Sequence, residues 1–213
     1  MMTKTASFVN VATQMLMEVL FLKQYMAKPI LVTGFEPFGE HLVNVSGQIA
    51  SELHGYEVRG HKIESHVLSV DYEGSMLTSN LLDETNFAAI IHLGIAENSR
   101  NPRIETRAKD ILDFRIPDNS GRQIRNTPIS GGGDLLSTIK PEDWDIGTMI
   151  DSPIISQDAG EYLCNETLYR TLMKIDDQTP CFFLHLPLQQ NDAKGLVLQC
   201  IDRMLRPPCI DVG

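Results

Sequence analysis

Several features are missing from this chain, and each absence removes a class of function. There is no basic run. Lys and Arg number 18 against 28 Asp and Glu, a formal charge of -10. A surface of that sign repels phosphate backbones and anionic headgroups, so neither nucleic acid nor a membrane surface is an expected partner. No C-x-x-C pair occurs, and none of Cys164, Cys181, Cys200 and Cys209 stands at zinc-ligand spacing from a histidine. No metal is expected from that pattern. The most apolar long stretch, residues 8–25, is interrupted by Gln14, Glu18 and Lys23. It is too polar for a membrane span and lacks the charged start and small-residue cleavage site of a secretory signal. Widely spaced cysteines in such a chain are expected to stay reduced, and the expected location is cytoplasmic. Internal repeats and low-complexity segments are also lacking.

What is present fits a single globular unit. The 213 residues, 42% hydrophobic and 22% charged, are enough to bury a sizeable core. Residues 1–27 read as an appendage. Val9, Ala12, Leu16, Val19 and Leu20 fall roughly on one helical face. Met26 stands just before the first convincing strand, so the appendage is alternatively an artefact of the assigned start. The domain proper is expected over 28–213.

Along that domain, strand and helix patterns alternate. Pro29-Ile30-Leu31-Val32-Thr33 is a compact apolar strand, broken by Gly34-Phe35-Glu36-Pro37-Phe38-Gly39. That loop carries no Gly-Lys-Ser/Thr ending, so it is not a phosphate loop. Its two phenylalanines either plug the core or face a ligand. Residues 44–53 and 72–82 have helical spacing, the first with Asn44 or Ser46 as N-cap. Residues 62–70 read as a strand, and 87–94 as a central strand buried on both faces. His92 in that run is expected to be a buried, satisfied histidine. Residues 103–114 supply one or two irregular strands, and 115–133 form a long loop. A short helix capped by Asp134 is expected over 134–144. A strand at 153–156, a buried strand at 181–187 and an amphipathic helix at 192–205 complete the pattern. The fold class expected is α/β: a single-domain three-layer α/β/α sandwich with a twisted, largely parallel central sheet.

The chemistry centres on Ser156-Gln157-Asp158-Ala159-Gly160-Glu161-Tyr162-Leu163-Cys164-Asn165. An apolar pair, Ile154-Ile155, leads into this turn, and helical spacing follows it. A cysteine at a helix start meets unpaired N–H groups and the positive end of the dipole, which favour thiolate and an oxyanion beside it. Free cysteine is also among the most buried residue types, so a structural Cys164 stays open on this pattern alone. If the strands run parallel, their carboxyl ends share one edge, and Cys164 and His185 both lie there. Histidine has the pKa range of a general base. Glu105, Asp113 and Asp118 are each placed to orient it, and residue type does not choose among them.

Four blocks resemble the pyroglutamyl peptidase I (pyrrolidone-carboxylate peptidase) family of cysteine peptidases. They are Val32-Thr33-Gly34-Phe35-Glu36-Pro37-Phe38-Gly39, Arg115-Ile116-Pro117-Asp118-Asn119-Ser120-Gly121, the 156–165 turn, and Phe183-Leu184-His185-Leu186-Pro187. The resemblance implies removal of an N-terminal pyroglutamyl residue from peptides, through a thioester and without cofactor. It implies Cys164 as nucleophile, His185 as base and Glu105 as the orienting acid. It implies Phe35 and Phe38 flanking the lactam ring, with Ile116 and Leu163 as further apolar walls. It also implies assembly into dimers or tetramers. Departures are Glu97-Asn98-Ser99-Arg100 where the family has Gly-Gly-Arg, and Asp158 before Ala-Gly. An Asp158 facing the thiol would oppose its ionisation. The altered 97–100 segment and a stretch after His185 that is slightly shorter than the family's motivate one alternative, a catalytically weak relative that binds capped peptides without turnover; a hydrolase of another small amide is a third reading.

Overall fold

The computed structural model describes residues 28–39 and 42–206. The expected appendage lies outside the described residues, and the expected boundary falls at their edge.

Seven strands form the main sheet: β1 (Ile30–Phe35), β2 (Glu57–Val58), β3 (His61–Leu68), β4 (Ala89–Ile95), β5 (Arg103–Glu105), β8 (Ile154–Ser156) and β9 (Cys181–Leu186). Their order is β2-β3-β1-β4-β9-β5-β8. A small two-stranded ribbon pairs β6 (Arg107–Ala108) with β7 (Leu135–Leu136). The helices are α1 (Val45–Leu53), α2 (Tyr72–Leu81), α3 (Leu163–Leu172) and α4 (Ala193–Met204).

The central strands are apolar without alternation because both faces are covered. Every residue of β1 and β9 is buried. One face presents Ile30, Val32, Ile91, Leu93, Phe182 and Leu184 to α1 and α4. The other presents Leu31, Phe35, Ile90, Cys181 and Phe183 to α2 and α3. This is the expected three-layer sandwich. Gly34 permits the tight seat of α1, since a Cβ there would lie 2.1 Å from the Ser46 carbonyl oxygen.

His92 is fully buried on the α3 side of β4. Its Nδ1 lies 2.8 Å from Thr33 Oγ1 and its Nε2 3.0 Å from Thr171 Oγ1. Thr171 gives its hydroxyl proton to the Thr167 carbonyl, so it accepts from Nε2–H, and Thr33 donates to Nδ1. Burial pushes the His92 pKa down to about 3. This is the satisfied core histidine that its position in an apolar strand suggests.

Two expectations fail. Residues 134–144 do not form one helix. Leu135–Leu136 pair as β7, and only Pro141–Trp144 turn, as a 3-10 helix. A helix begun at Asp134 would carry Pro141 in its interior, where proline removes a donor and clashes with the preceding turn. The Asp134 carboxylate accepts the Asp110 N–H at 2.9 Å. The second failure concerns direction. β3, β1, β4 and β9 run parallel, but β5 is antiparallel to β9, and β8 runs with β5. The strand before the cysteine turn therefore ends at the opposite edge from β9. The turn has to climb back across the sheet face to deliver α3.

Candidate active site

α1 begins with Asn44 accepting from Ser46 N–H, α2 with Asp71 accepting from Gly74 N–H, and α4 with Asp192 accepting from Gly195 N–H. Among the described residues, α3 is the α-helix that starts without a side-chain cap, at Tyr162. The first N–H groups of an α-helix have no carbonyl behind them. Cys164 is the second residue of this uncapped turn.

Gly94 sets the thiol against the sheet. A Cβ at Gly94 would lie 3.2 Å from Cys164 Sγ and 2.7 Å from the Phe183 ring. Any larger residue would displace one or the other. Gly94 pairs in register with His185 on β9, so the thiol rests over the strand pair that carries the imidazole. The Phe183 and His185 rings stand 4.7 Å apart on that same face.

His185 Nδ1 lies 2.8 Å from Glu105 Oε1. A carboxylate only accepts, so Nδ1 carries a proton. Glu105 is fully buried on β5. Arg103 Nε donates to the same Oε1 at 2.9 Å, and Arg103 Nη2 donates to the Asp158 carbonyl at 2.6 Å. The Asp158 N–H donates to Glu105 Oε2 at 3.2 Å. Burial alone would raise the Glu105 pKa. The hydrogen bond and charge of His185, with bonds from Ser156 and Arg103, outweigh it and hold the carboxyl below its usual range.

The thiol behaves otherwise than its helix position suggests. Burial, seconded by the Glu105 charge, pushes its pKa up to about 12. Its own backbone N–H and Arg103 pull the other way without prevailing. Burial thus outweighs the helix start at this thiol. Asp158 does not face the sulfur. Its carboxylate points outward, 65% exposed, to Lys109 Nζ at 2.8 Å.

A narrow cavity opens beside the thiol, lined by Phe35, Phe38, Tyr162, Leu163, Ile95 and Val70 among others. Of the expected wall residues, Phe35, Phe38 and Leu163 line it. Ile116 does not: it is half-exposed on the long loop. Tyr162 takes that side instead, its ring 6.5 Å from Phe38 and its hydroxyl donating to the Pro117 carbonyl. Tyr162, Ile95 and Arg103 went unsingled in the sequence. The Arg-x-Glu spacing was the available signal for Arg103, since alternate strand residues share a side.

The long loop is tied to α3 directly behind the cysteine. Asn165, fully buried, accepts from Lys109 N–H and donates to the Lys109 and Ile111 carbonyls. Glu166, also fully buried, accepts from Arg122 and from Arg170, each approaching to 2.7 Å. Arg122 reaches on to Asp118 at 2.8 Å. No group of three or more His, Cys, Asp or Glu among the described residues is arranged to hold a metal ion.

Fold and site together define a class: an α/β protein with a thiol, an imidazole and a buried carboxylate beside an aromatic cavity, the elements of cysteine-hydrolase chemistry. The family model described as pyroglutamyl peptidase matches residues 28–195. A pyrrolidone-carboxylate peptidase of Deinococcus radiodurans is 36% identical over 170 residues, 74% of this chain and 77% of the relative. One from Coprothermobacter proteolyticus is 32% identical, covering 78% of this chain and 84% of the relative. The crystal structure of pyrrolidone carboxyl peptidase from Thermus thermophilus superposes with a TM-score of 0.72 at 31% identity, over 82% of this chain and 99% of that one. The chain belongs to the pyroglutamyl peptidase family.

Proposed function

We propose that the chain is a cysteine exopeptidase that cleaves the bond after an N-terminal pyroglutamyl residue and releases pyroglutamate. The observation that carries this reading is the Glu105–His185 hydrogen bond beside a cysteine at an uncapped helix start, with an aromatic cavity against the thiol. Pyroglutamate is a small uncharged lactam with an apolar ring edge. A peptide carrying it has no free α-amine, so a site that recognises it needs an apolar slot rather than a carboxylate. Phe35, Phe38, Leu163 and Tyr162 supply such a slot.

In the reaction, Cys164 Sγ attacks the carbonyl carbon following the ring, and His185 Nε2 takes the thiol proton. Glu105 holds the ring by Nδ1–H and balances the imidazolium that forms. The uncapped N–H groups at the start of α3 face the developing oxyanion. One such donor is typically worth about 3–4 kcal/mol. His185 returns the proton to the leaving amine, and a thioester remains on Cys164. Water, losing its proton to His185, adds to the thioester, and pyroglutamate departs as the thiol is restored. The polar 97–100 loop does not argue for a relative without turnover, since Glu97, Asn98 and Arg100 are exposed.

A cytoplasmic location accords with Cys164, Cys181 and Cys200 all being free thiols. Assembly into a dimer or tetramer accords with edge strand β8, where Ile154 and Ile155 are half-exposed. The deciding experiment is hydrolysis of a fluorogenic pyroglutamyl anilide. Cys164→Ala is expected to abolish it, and prolyl and glutaminyl analogues are expected to be refused by the unaltered enzyme. Full activity in Cys164→Ala would sink the assignment.

A further inference from the structure

Arg103 is a cation placed against the proposed catalytic acid, and the reaction written above does not use it. It stands directly opposite His185 across the antiparallel β5–β9 pair. Its guanidinium meets Glu105 Oε1 through both Nε, at 2.9 Å, and Nη2, at 2.7 Å. The same Nη2 donates to the Asp158 carbonyl at 2.6 Å. One side chain thus fastens the acid strand to the turn that leads into Cys164. The Asp158 N–H closes the ring of contacts by donating to the other Glu105 oxygen.

We propose that Arg103 is a positioning residue: it locks the Glu105 carboxylate onto His185 and fixes the 156–162 turn relative to that acid. The inference rests on the reading of Cys164, His185 and Glu105 as the reacting trio. Three physical points carry it. An arginine fork can hold a carboxylate and a carbonyl at fixed angles, which a lysine ammonium cannot. His185 and Arg103 compete for one oxygen, so Glu105 stays fully ionised while its second oxygen remains on the turn. And an acid buried beside a thiol works against that thiol's ionisation unless a cation is near. Burial and Glu105 raise the Cys164 pKa, whereas Arg103 lowers it. The other charged or titratable groups around the thiol are His185 on β9, Tyr162 and Asp158 on the turn, and His92 on β4, the last held neutral. Lys109, the cation beyond Asp158, is turned to Asp158 and Glu161, whereas Arg103 lies against Glu105.

The test compares Arg103→Met and Arg103→Lys with the unaltered enzyme. Two quantities are read: steady-state kinetics on a pyroglutamyl anilide, and the rate of carbamidomethylation of Cys164 by iodoacetamide at pH 8, followed by mass spectrometry. In Arg103→Met, kcat is expected to fall about 10- to 100-fold with KM within about threefold, and alkylation of Cys164 to slow about three- to tenfold. Arg103→Lys keeps the charge and loses the fork, so alkylation returns to the unaltered rate while kcat recovers only in part. An Arg103→Met enzyme with both rates within twofold overturns the proposal. So does a fall in kcat with an unmoved alkylation rate, which is what a merely structural role would give. Should Arg103→Met fail to fold by circular dichroism, Arg103→Gln, which retains donors without the charge, is read by the same two rates. Alkylation reports on the thiol whether or not Cys164 is the nucleophile, so its outcome is separate from the Cys164→Ala test of the catalytic reading.

Discussion

Glu105 and Glu166 are both fully buried acids met by arginine, yet they occupy opposite situations. Glu166 is enclosed by two permanent cations, Arg122 and Arg170, and Arg122 continues to Asp118. Arg122 is further held over the Tyr72 and Phe114 rings, 5.3 and 5.0 Å from their centroids. That cluster is built of guanidinium and carboxylate groups. Glu105 shares one oxygen between a permanent cation and an imidazole, and that imidazole is on the strand residue in register with Gly94, against which the thiol rests. The difference teaches what separates a structural acid from one suited to a reaction. Burial and arginine are common to both. A partner that can gain and lose a proton belongs to Glu105 alone.

Exchange of the two carboxyls for amides sharpens the contrast most. Glu105→Gln is expected to lower kcat/KM about 10²- to 10⁴-fold on a pyroglutamyl anilide, since the amide no longer balances a positive His185. The sign of its pH effect follows from the depressed carboxyl. Stability from the ionised group is present above the ordinary glutamate value of about 4.3 and lost as pH falls through the lower folded value. Urea titrations at stepped pH should therefore show the unaltered enzyme losing more stability below that point than Glu105→Gln does.

Glu166→Gln is expected to act on the fold instead. Removing one member of a buried ion cluster costs about 3–5 kcal/mol, and the partial exposure of both arginines places this case toward the lower figure. Urea unfolding measures it, and kcat of the folded enzyme should stay within a few-fold. A Glu166→Gln enzyme that loses kcat as deeply as Glu105→Gln, at unchanged stability, would erase the distinction.

Gly94→Ala probes the ground between the two. Its Cβ must displace the Phe183 ring or the Cys164 sulfur, and overpacking of this kind costs about 1–3 kcal/mol. Both the unfolding midpoint and kcat should fall together. The smallest effect is expected from Asp158→Asn. That acid is paired to Lys109 at the surface, where such pairs contribute at most about 1 kcal/mol. Activity within about twofold of the unaltered enzyme would show that the acid in the cysteine turn is clear of the chemistry.

Much of this was legible in the residues. The runs at 30–35, 89–95 and 181–186 could only be strands covered on both faces, because they carry no polar stripe for water. Asn44, one of two candidate caps, announced α1, and the apolar periodicity of 192–205 announced α4. Motif resemblance carried Cys164, His185 and Glu105; His185 and Glu105 are hydrogen-bonded, and the Cys164 sulfur rests against Gly94. Ile116, carried by motif resemblance alone, is half-exposed and does not line the cavity beside the thiol. The parallel-edge argument reached His185 correctly and Cys164 for the wrong reason, since strand direction is a property of the sheet and not of the strand.

Local states are legible in the residues: which segments are apolar enough to be central strands, where helices can begin, and that a cysteine stands near the start of α3. Only the tertiary structure decided the pairings. The reversal of β5 set Arg103 opposite His185, and the register of β4 on β9 set Gly94 beside it, leaving room for the thiol. The physical reason is range. Propensity and capping act within a few residues, whereas the electrostatics of the site come from groups up to 80 positions apart in the chain, such as Glu105 and His185.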